Sequence, residues 1–282
     1  MCKLLLNAGY PASGTTSLYY TLWSNKYGHG GGVKEGNYLL HLQDPLKYKE
    51  RDKLHRRKKE FGKHIPRPWM LPVHFFKTNH AFDHRKVSID KYINYYLDLW
   101  EDIKNQYQSV MDFSNTDEQL TEDFMMSIKD HLLTHFDIKV VMILRDPIRR
   151  LWSYSNRVSK CEGNTPQSIM EKHFHNSNLD YVQKYKKYIR VWGEERVCVI
   201  INEEFYEGDT KTLSDFLNYD IRPTYNEINH LNDIKSKEYS QWCELDNDMW
   251  KYAYDNMKWI YDNYHEYFGF IPDAWIDVGF YK

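Results

Sequence analysis

Two spacings of apolar residues alternate along the chain, and the alternation outlines a fold. Leu4-Leu5-Leu6 is a short continuous apolar run, and the segment Leu18-Tyr19-Tyr20-Thr21-Leu22-Trp23 beyond it reads as a helix. Pro66, Pro68 and Pro72 interrupt the next region, after which Val73-His74-Phe75-Phe76 predicts a short strand. Ile89, Tyr92, Ile93, Tyr96, Leu97 and Trp100 recur with helical period behind Ser88, a suitable N-cap. A second helical stretch runs through 118–136, and 138–144 is the unbroken apolar run expected of a buried parallel strand. Helical sequence returns at 168–174 and 181–192. Arg196-Val197-Cys198-Val199-Ile200-Ile201 predicts a further buried strand, closed by Asn202-Glu203-Glu204-Phe205, with another helix at 212–217. Trp250, Tyr254, Met257, Tyr261, Tyr264 and Phe268 mark one face of a long C-terminal helix, a stripe that reads as core packing. Strands alternating with helices define an α/β fold with a central, mainly parallel β-sheet flanked by helices. No internal repeat, low-complexity segment or linker divides the chain, so a single domain over 1–282 is expected.

Composition narrows the function classes. Hydrophobic content of 41% and charged content of 28% are those of a globular protein, and the formal net charge of −2 gives no global basicity for nucleic acid. The 24 tyrosines suit a carbohydrate or nucleotide binder, and equally a tyrosine-rich core. One stretch departs from this balance: residues 47–60 hold eight Lys/Arg against three acids, either a solvated helix face or a basic rim attracting an anion. Cys2, Cys161, Cys198 and Cys243 are scattered without metal-ligand spacing, and Cys198 in its apolar run predicts a buried free thiol. A reducing, cytoplasmic setting without a metal is the expectation, with no signal peptide and no apolar run long enough to span a bilayer.

The chemistry-bearing stretch is Gly9-Tyr10-Pro11-Ala12-Ser13-Gly14-Thr15-Thr16-Ser17, between the first strand and the first helix. Such a loop can converge N–H groups on an anion, aided by the positive end of the helix. Gly14 allows close backbone approach, and Thr15, Thr16 and Ser17 offer hydroxyls; an ordinary β–α turn with a Ser/Thr cap is the plain alternative. Gly9 and Gly14 have the spacing of a nucleoside triphosphate loop, but Thr15 stands where that loop needs lysine. The pattern G-x-P-x-S-G-T-T-S instead resembles the 5′-phosphosulfate loop of sulfotransferases that use 3′-phosphoadenosine 5′-phosphosulfate (PAPS). That family carries Lys, less often Arg, where this chain has Ala12. The resemblance implies cofactor contacts from Ala12, Ser13, Gly14, Thr15, Thr16 and Ser17, and a P-loop-like sulfotransferase architecture.

A second motif sharpens the resemblance. Ile143-Leu144-Arg145-Asp146-Pro147-Ile148-Arg149-Arg150-Leu151-Trp152-Ser153-Tyr154 is similar to the family's 3′-phosphate motif, L-R-D-P-x-x-R-x-x-S-x-Y. An arginine at a strand end can hold a phosphate bidentately, and a serine two helical turns on can add a hydroxyl. By resemblance, Arg145 and Ser153 bind the 3′-phosphate; the alternative is a salt-bridged helix start with Asp146 and Arg149 paired locally. Further likenesses run through most of the chain. Val110-Met111-Asp112-Phe113-Ser114 is similar to a "D-x-S-P" segment, Tyr181 and Trp192 fall where the family has a tyrosine and a tryptophan, and 196–205 resembles its "R-V-L-V-L-x-x-E-D-F" strand. For the loop that closes over the adenosine, the candidate is 232–239 with Lys235 and Lys237, equally readable as a solvated loop.

Sulfuryl transfer needs a base, positive charge at the bridging and equatorial oxygens, and in-line alignment. Val33-Lys34-Glu35-Gly36-Asn37-Tyr38 looks like the "K-E-x-x-F/Y-F" element of carbohydrate sulfotransferases, including the heparan sulfate enzymes, which implies Glu35 as general base. His80 in Lys77-Thr78-Asn79-His80 is the rival base, and an exposed loop carboxylate or a surface histidine is the plain reading of each. Lys34 is the candidate for the charge that Ala12 cannot supply. The expectation is a PAPS-dependent sulfotransferase acting on a small-molecule or glycan acceptor, with no nucleic-acid or membrane partner. Two alternatives stand beside it: a P-loop small-molecule kinase, and a non-catalytic nucleotide- or glycan-binding relative.

Overall fold

The computed structural model of the protein describes residues 1–31, 38–45, 88–114, 119–176, 179–223 and 247–276. Among these, β1 (Cys2–Asn7) leads into α1 (Thr15–Ser24), followed by β2 (Gly28–His29), α2 (Tyr38–Gln43), α3 (Ile89–Ile103) and β3 (Ser109–Asp112). Next come α4 (Glu122–His135), β4 (Phe136–Leu144), α5 (Pro147–Glu162), α6 (Pro166–Glu171), α7 (Tyr181–Trp192) and β5 (Val197–Ile201). The last elements are α8 (Asn202–Glu207), α9 (Lys211–Leu217), α10 (Asn247–Phe268) and α11 (Asp273–Ile276). The five strands form one parallel sheet in the order β2-β3-β1-β4-β5, flanked by helices. The expected α/β architecture is therefore present. With β1 central and its neighbours parallel, the connections after β1 and after β4 both leave the carboxyl edge, where open α/β sheets bind ligands.

The chain divides into two compact units, Met1–Ala8 with Leu22–Val140, and Gly9–Thr21 with Val141–Lys282. In the first, β1 pairs with β3 in the register Leu4↔Val110, Leu5↔Met111, Leu6↔Asp112, and β2 extends the ladder from the far side of β3. Against β3 packs α3, which buries Tyr92, Ile93, Tyr96, Leu99 and Ile103 on one face. As expected, α3 is capped by Ser88, whose hydroxyl accepts from the Lys91 N–H at 3.3 Å. By contrast, α4 starts at Glu122, later than the hydrophobic pattern implied, because the Thr121 hydroxyl accepts from the Phe124 N–H and sets the first turn there.

The second unit is built around α5, α7 and α10. The start of α5 is fixed twice, by Pro147 in its first turn and by the Asp146 carboxylate accepting from the Arg149 N–H at 2.8 Å. It ends at Gly163, whose φ of 71° is a left-handed conformation that glycine adopts without strain. Thr165 and Pro166 likewise set the start of α6 two residues earlier than the apolar pattern alone suggested. The long helix α10 buries Met257, Ile260, Tyr261 and Tyr264 and packs on α5 and α7; Trp250, Tyr254 and Phe268, at the ends of the predicted stripe, are only half-buried. The residues closing β5 are not simply a strand end: Asn202–Glu207 turns directly into α8, whose Asn202 and Phe205 are buried. No helix among the described residues is long and apolar enough to cross a membrane.

Candidate functional site

The loop after β1 begins as a tight turn. The Ser13 N–H donates to the Tyr10 carbonyl at 3.2 Å, with Pro11 second and Ala12 third, and Ala12 has φ of 68°. A proline followed by a positive φ is the pattern of a type II turn, whose third position favours glycine; an alanine there is held under strain of roughly 1–2 kcal/mol. Gly14 also has a positive φ, 89°, and a Cβ built on it would lie 1.9 Å from Oδ1 of Asn202. No side chain fits at that position. The Leu18 N–H donates to the Gly14 carbonyl at 3.1 Å, so the helix starts here and the N–H groups of its opening turn point out of its N-terminus.

Arg145, at the end of β4, reaches this loop: its Nη1 donates to the Ala12 carbonyl at 3.1 Å. The two motifs singled out in the sequence are thus joined by a direct hydrogen bond. Behind Arg145, Glu203 is oriented by two donors, the Asp146 N–H at 3.2 Å and the Trp275 indole at 3.1 Å, and its carboxylate lies 3.9 Å from Arg145 Nε. Tyr181 donates its hydroxyl to the Arg145 carbonyl at 2.7 Å, fixing the backbone of the same residue. Asp146 does not form the local ion pair with Arg149 considered above; it caps α5 and accepts the Tyr261 hydroxyl at 2.7 Å. Burial pushes the Asp146 carboxyl up to about 6, with a smaller upward contribution from Glu203, against the downward pull of those two hydrogen bonds. Burial likewise raises Tyr181 and Tyr261, so both hydroxyls remain neutral donors.

Around this frame several buried polar atoms have no hydrogen-bond partner among the described residues. They are Ser13 Oγ, Asn202 Oδ1, Arg145 Nε, and Nε and Nη1 of Arg150. Buried polar atoms are rarely left unpaired, and a cluster of them beside a glycine cradle is the arrangement an anionic ligand completes. Ser153 lies on α5 one turn beyond Arg149, and both are half-buried, while Ile148, Leu151 and Ser155 of the opposite side are buried. Ser17, in the first turn of α1, shares a hydrogen bond with the Tyr206 hydroxyl at 2.5 Å. The residues present therefore fit a phosphate- or sulfate-bearing ligand. Among the described residues, no group of three or more His, Cys, Asp or Glu side chains is placed to hold a metal.

The candidate catalytic pair Lys34 and Glu35 lies outside the described residues, as do His80, the 73–76 strand, the basic 47–60 stretch and the 232–239 loop. Four contributors escaped the sequence reading: Arg150, Lys184, Asn202 and Glu203. Arg150 falls inside the second motif, and Lys184 occupies a buried position on α7 between Tyr181 and Tyr188, where a lysine in an otherwise apolar stripe was a usable signal. Asn202 and Glu203 had none, because their part depends on how α8 starts.

The fold is that of a known class. A solved crystal structure of a sulfotransferase from Alicyclobacillus acidocaldarius superposes with a TM-score of 0.59, covering 98% of this chain and 98% of that one. Sequence identity is 15%, so the likeness concerns the fold alone. No protein-family model matches the sequence, and no curated protein matches it.

Proposed function

We propose that the protein is a PAPS-dependent sulfotransferase. The observation that carries this reading is the Arg145–Ala12 hydrogen bond, which brings the strand-end arginine of one motif onto the glycine loop of the other. In the proposed arrangement the loop Ala12–Ser17 and the N-terminus of α1 hold the 5′-phosphosulfate. Arg145 and Ser153 hold the 3′-phosphate, with Glu203 and Tyr181 keeping Arg145 in place. When bound, the donor supplies an activated sulfuryl group; the acceptor is a hydroxyl or amine of a carbohydrate or other small molecule. Glu35 takes the proton leaving the acceptor, and Lys34 adds positive charge. No metal, nucleic acid or membrane takes part, and the buried free thiols Cys2 and Cys198 suit a reducing, cytoplasmic setting.

Calorimetric titration with 3′,5′-diphosphoadenosine and with ATP, both without metal, tests the reading: the first binds tightly and the second weakly. Preference for ATP would move the protein to the kinases. Arg145→Ala weakens 3′,5′-diphosphoadenosine about 10- to 100-fold and adenosine 5′-phosphate much less, as loss of a charge-assisted phosphate contact requires; equal losses would remove Arg145 from the 3′ site. Glu35→Gln abolishes turnover in a labelled-donor assay while sparing donor affinity, and an active variant would hand the base role to another residue, His80 first. A second reading, a binding module without turnover, is favoured by the methyl group of Ala12 alone; normal donor affinity with no transfer to any acceptor would support it.

A further inference from the structure

The loop that holds the proposed phosphosulfate lacks its own cation, yet two buried cations stand against one of its residues. The Tyr10 ring, 1% exposed, has the Arg150 guanidinium carbon 4.2 Å from its centroid and the Lys184 Nζ at the same 4.2 Å. Arg150 comes from the first turn of α5 and Lys184 from the buried face of α7. Tyr10 itself is pinned by its hydroxyl to the Asp180 carbonyl at 3.4 Å and by ring contact with Tyr181 at 5.1 Å. Arg150 is 8% exposed, and no carboxylate pairs with it among the described residues; its contacts are the rings of Tyr10 and Tyr181. Two of its nitrogens, Nε and Nη1, are buried without a hydrogen-bond partner.

A buried guanidinium held only by aromatic faces is costly, because cation–π contact recovers a small part of the lost hydration. Placing a second cation on the same ring raises that cost further. Such an arrangement is retained where an anion offsets it, and the anion-binding element in this unit is the loop to which Tyr10 belongs. Charge acts through a low-dielectric interior over distances at which it would be screened in water. It therefore need not touch the ligand.

We propose, resting on the sulfotransferase reading, that Arg150 and Lys184 supply from the buried side of the loop the positive charge that Ala12 does not. They are positioning residues. They set the potential at the 5′ end of the donor without contacting it, and Tyr10 holds them in register with the loop. The sequence departure at Ala12 is then offset within the fold rather than left as a defect.

The test uses inorganic pyrophosphate and 3′,5′-diphosphoadenosine as parallel calorimetric probes at low ionic strength, on the full chain. Arg150→Met and Lys184→Met are each expected to weaken both probes roughly three- to tenfold. Arg150→Lys retains most of the affinity. Melting temperature in anion-free buffer stays the same or rises in the Met variants, since an uncompensated buried charge has been removed. Ala12→Lys restores the affinity lost in Lys184→Met, and adds less to the wild-type protein than to that variant. Unchanged affinity for both probes in the Met variants overturns the inference and leaves the sulfotransferase reading standing. A lower melting temperature with an affinity loss that Ala12→Lys does not rescue overturns it too, by making the pair structural. If pyrophosphate responds as expected while 3′,5′-diphosphoadenosine shows no preference over ATP, the charge supply holds and the donor assignment fails. A wild-type protein that binds neither probe sinks both.

Discussion

The two compact units bury polar groups in different ways. In the first, Asp112 at the end of β3 is fully enclosed, and both carboxylate oxygens are bonded, to the Ser114 hydroxyl at 2.6 Å and the Tyr92 hydroxyl at 3.0 Å. Tyr38, Tyr92, Tyr95 and Tyr96 surround it in edge contacts with centroids 4.9–6.4 Å apart. His29 is equally enclosed, its Nδ1 accepting from the Gly31 N–H at 3.0 Å. In the second unit Asp146 is satisfied in the same manner, by an N–H and a tyrosine hydroxyl, but the atoms around it are not: Ser13, Asn202, Arg145 and Arg150 each keep a buried polar atom without a partner among the described residues. A pocket of bonded groups stabilises a fold. Unpartnered donors beside a strained loop cost stability and prepare a surface for a ligand.

The largest effect that would break this contrast falls on the loop. Gly14→Ala puts a methyl 1.9 Å from Asn202 Oδ1 at a φ of 89°, so a stability loss on the order of 3 kcal/mol and the disappearance of anion binding are expected. Urea unfolding and calorimetry read both, and adding Asn202→Ala recovers part of the loss by clearing the side chain; a Gly14→Ala protein that binds normally would show that the loop is not a cradle.

Acid sharpens the contrast next, because the two buried groups respond with opposite sign. Burial, helped by Lys26, holds His29 down at about 4, so the folded state stays neutral while the unfolded chain takes up a proton from about 6.5 downward. His29 therefore contributes stability above pH 6.5 that is lost as pH falls toward 4. The Asp146 carboxyl, raised to about 6 against 3.8 unfolded, is protonated first in the folded state, so its contribution grows as pH falls from 6 toward 4. Asp112, also raised by burial, acts in the same direction as Asp146. Between pH 7.5 and pH 5, His29→Asn should remove about 2 kcal/mol of acid destabilisation and Asp146→Asn about 1 kcal/mol of acid stabilisation, compared with wild type. Shifts of the same sign in the two variants would refute the assignment.

The smallest effect concerns Ala12. With φ of 68° it is a non-glycine residue in a glycine conformation, and Ala12→Gly should raise stability by up to about 1 kcal/mol without changing donor affinity. A measurable destabilisation would mean that the alanine methyl is packed, not merely tolerated.

Much of the architecture was readable in the chain. The apolar runs at β1, β4 and β5 are buried along nearly their whole length, which is why continuous hydrophobicity located them, and Ser88, Asp180 and Pro147 fall where the local chemistry of helix starts requires. The two motifs were legible for the same reason: loop glycines and a strand-end arginine act through local backbone geometry. Helix starts were misplaced where Thr121 and Thr165, rather than apolar period, decided them. Arg150 and Lys184 were passed over because a cation in a helical segment reads as solvent-facing until a neighbour covers it.

By itself, then, the sequence determined the strand–loop–helix order, the identity of the anion-binding loop and the arginine that belongs with it, since each depends on residues close along the chain. Only the tertiary structure decided that Arg145 bonds to the Ala12 carbonyl, that Glu203 and Trp275 stand behind it, and that Arg150 and Lys184 meet on one tyrosine ring. Those contacts join α5, α7, α8 and α11 to a loop far away in sequence. They arise from packing, which periodicity along the chain does not encode.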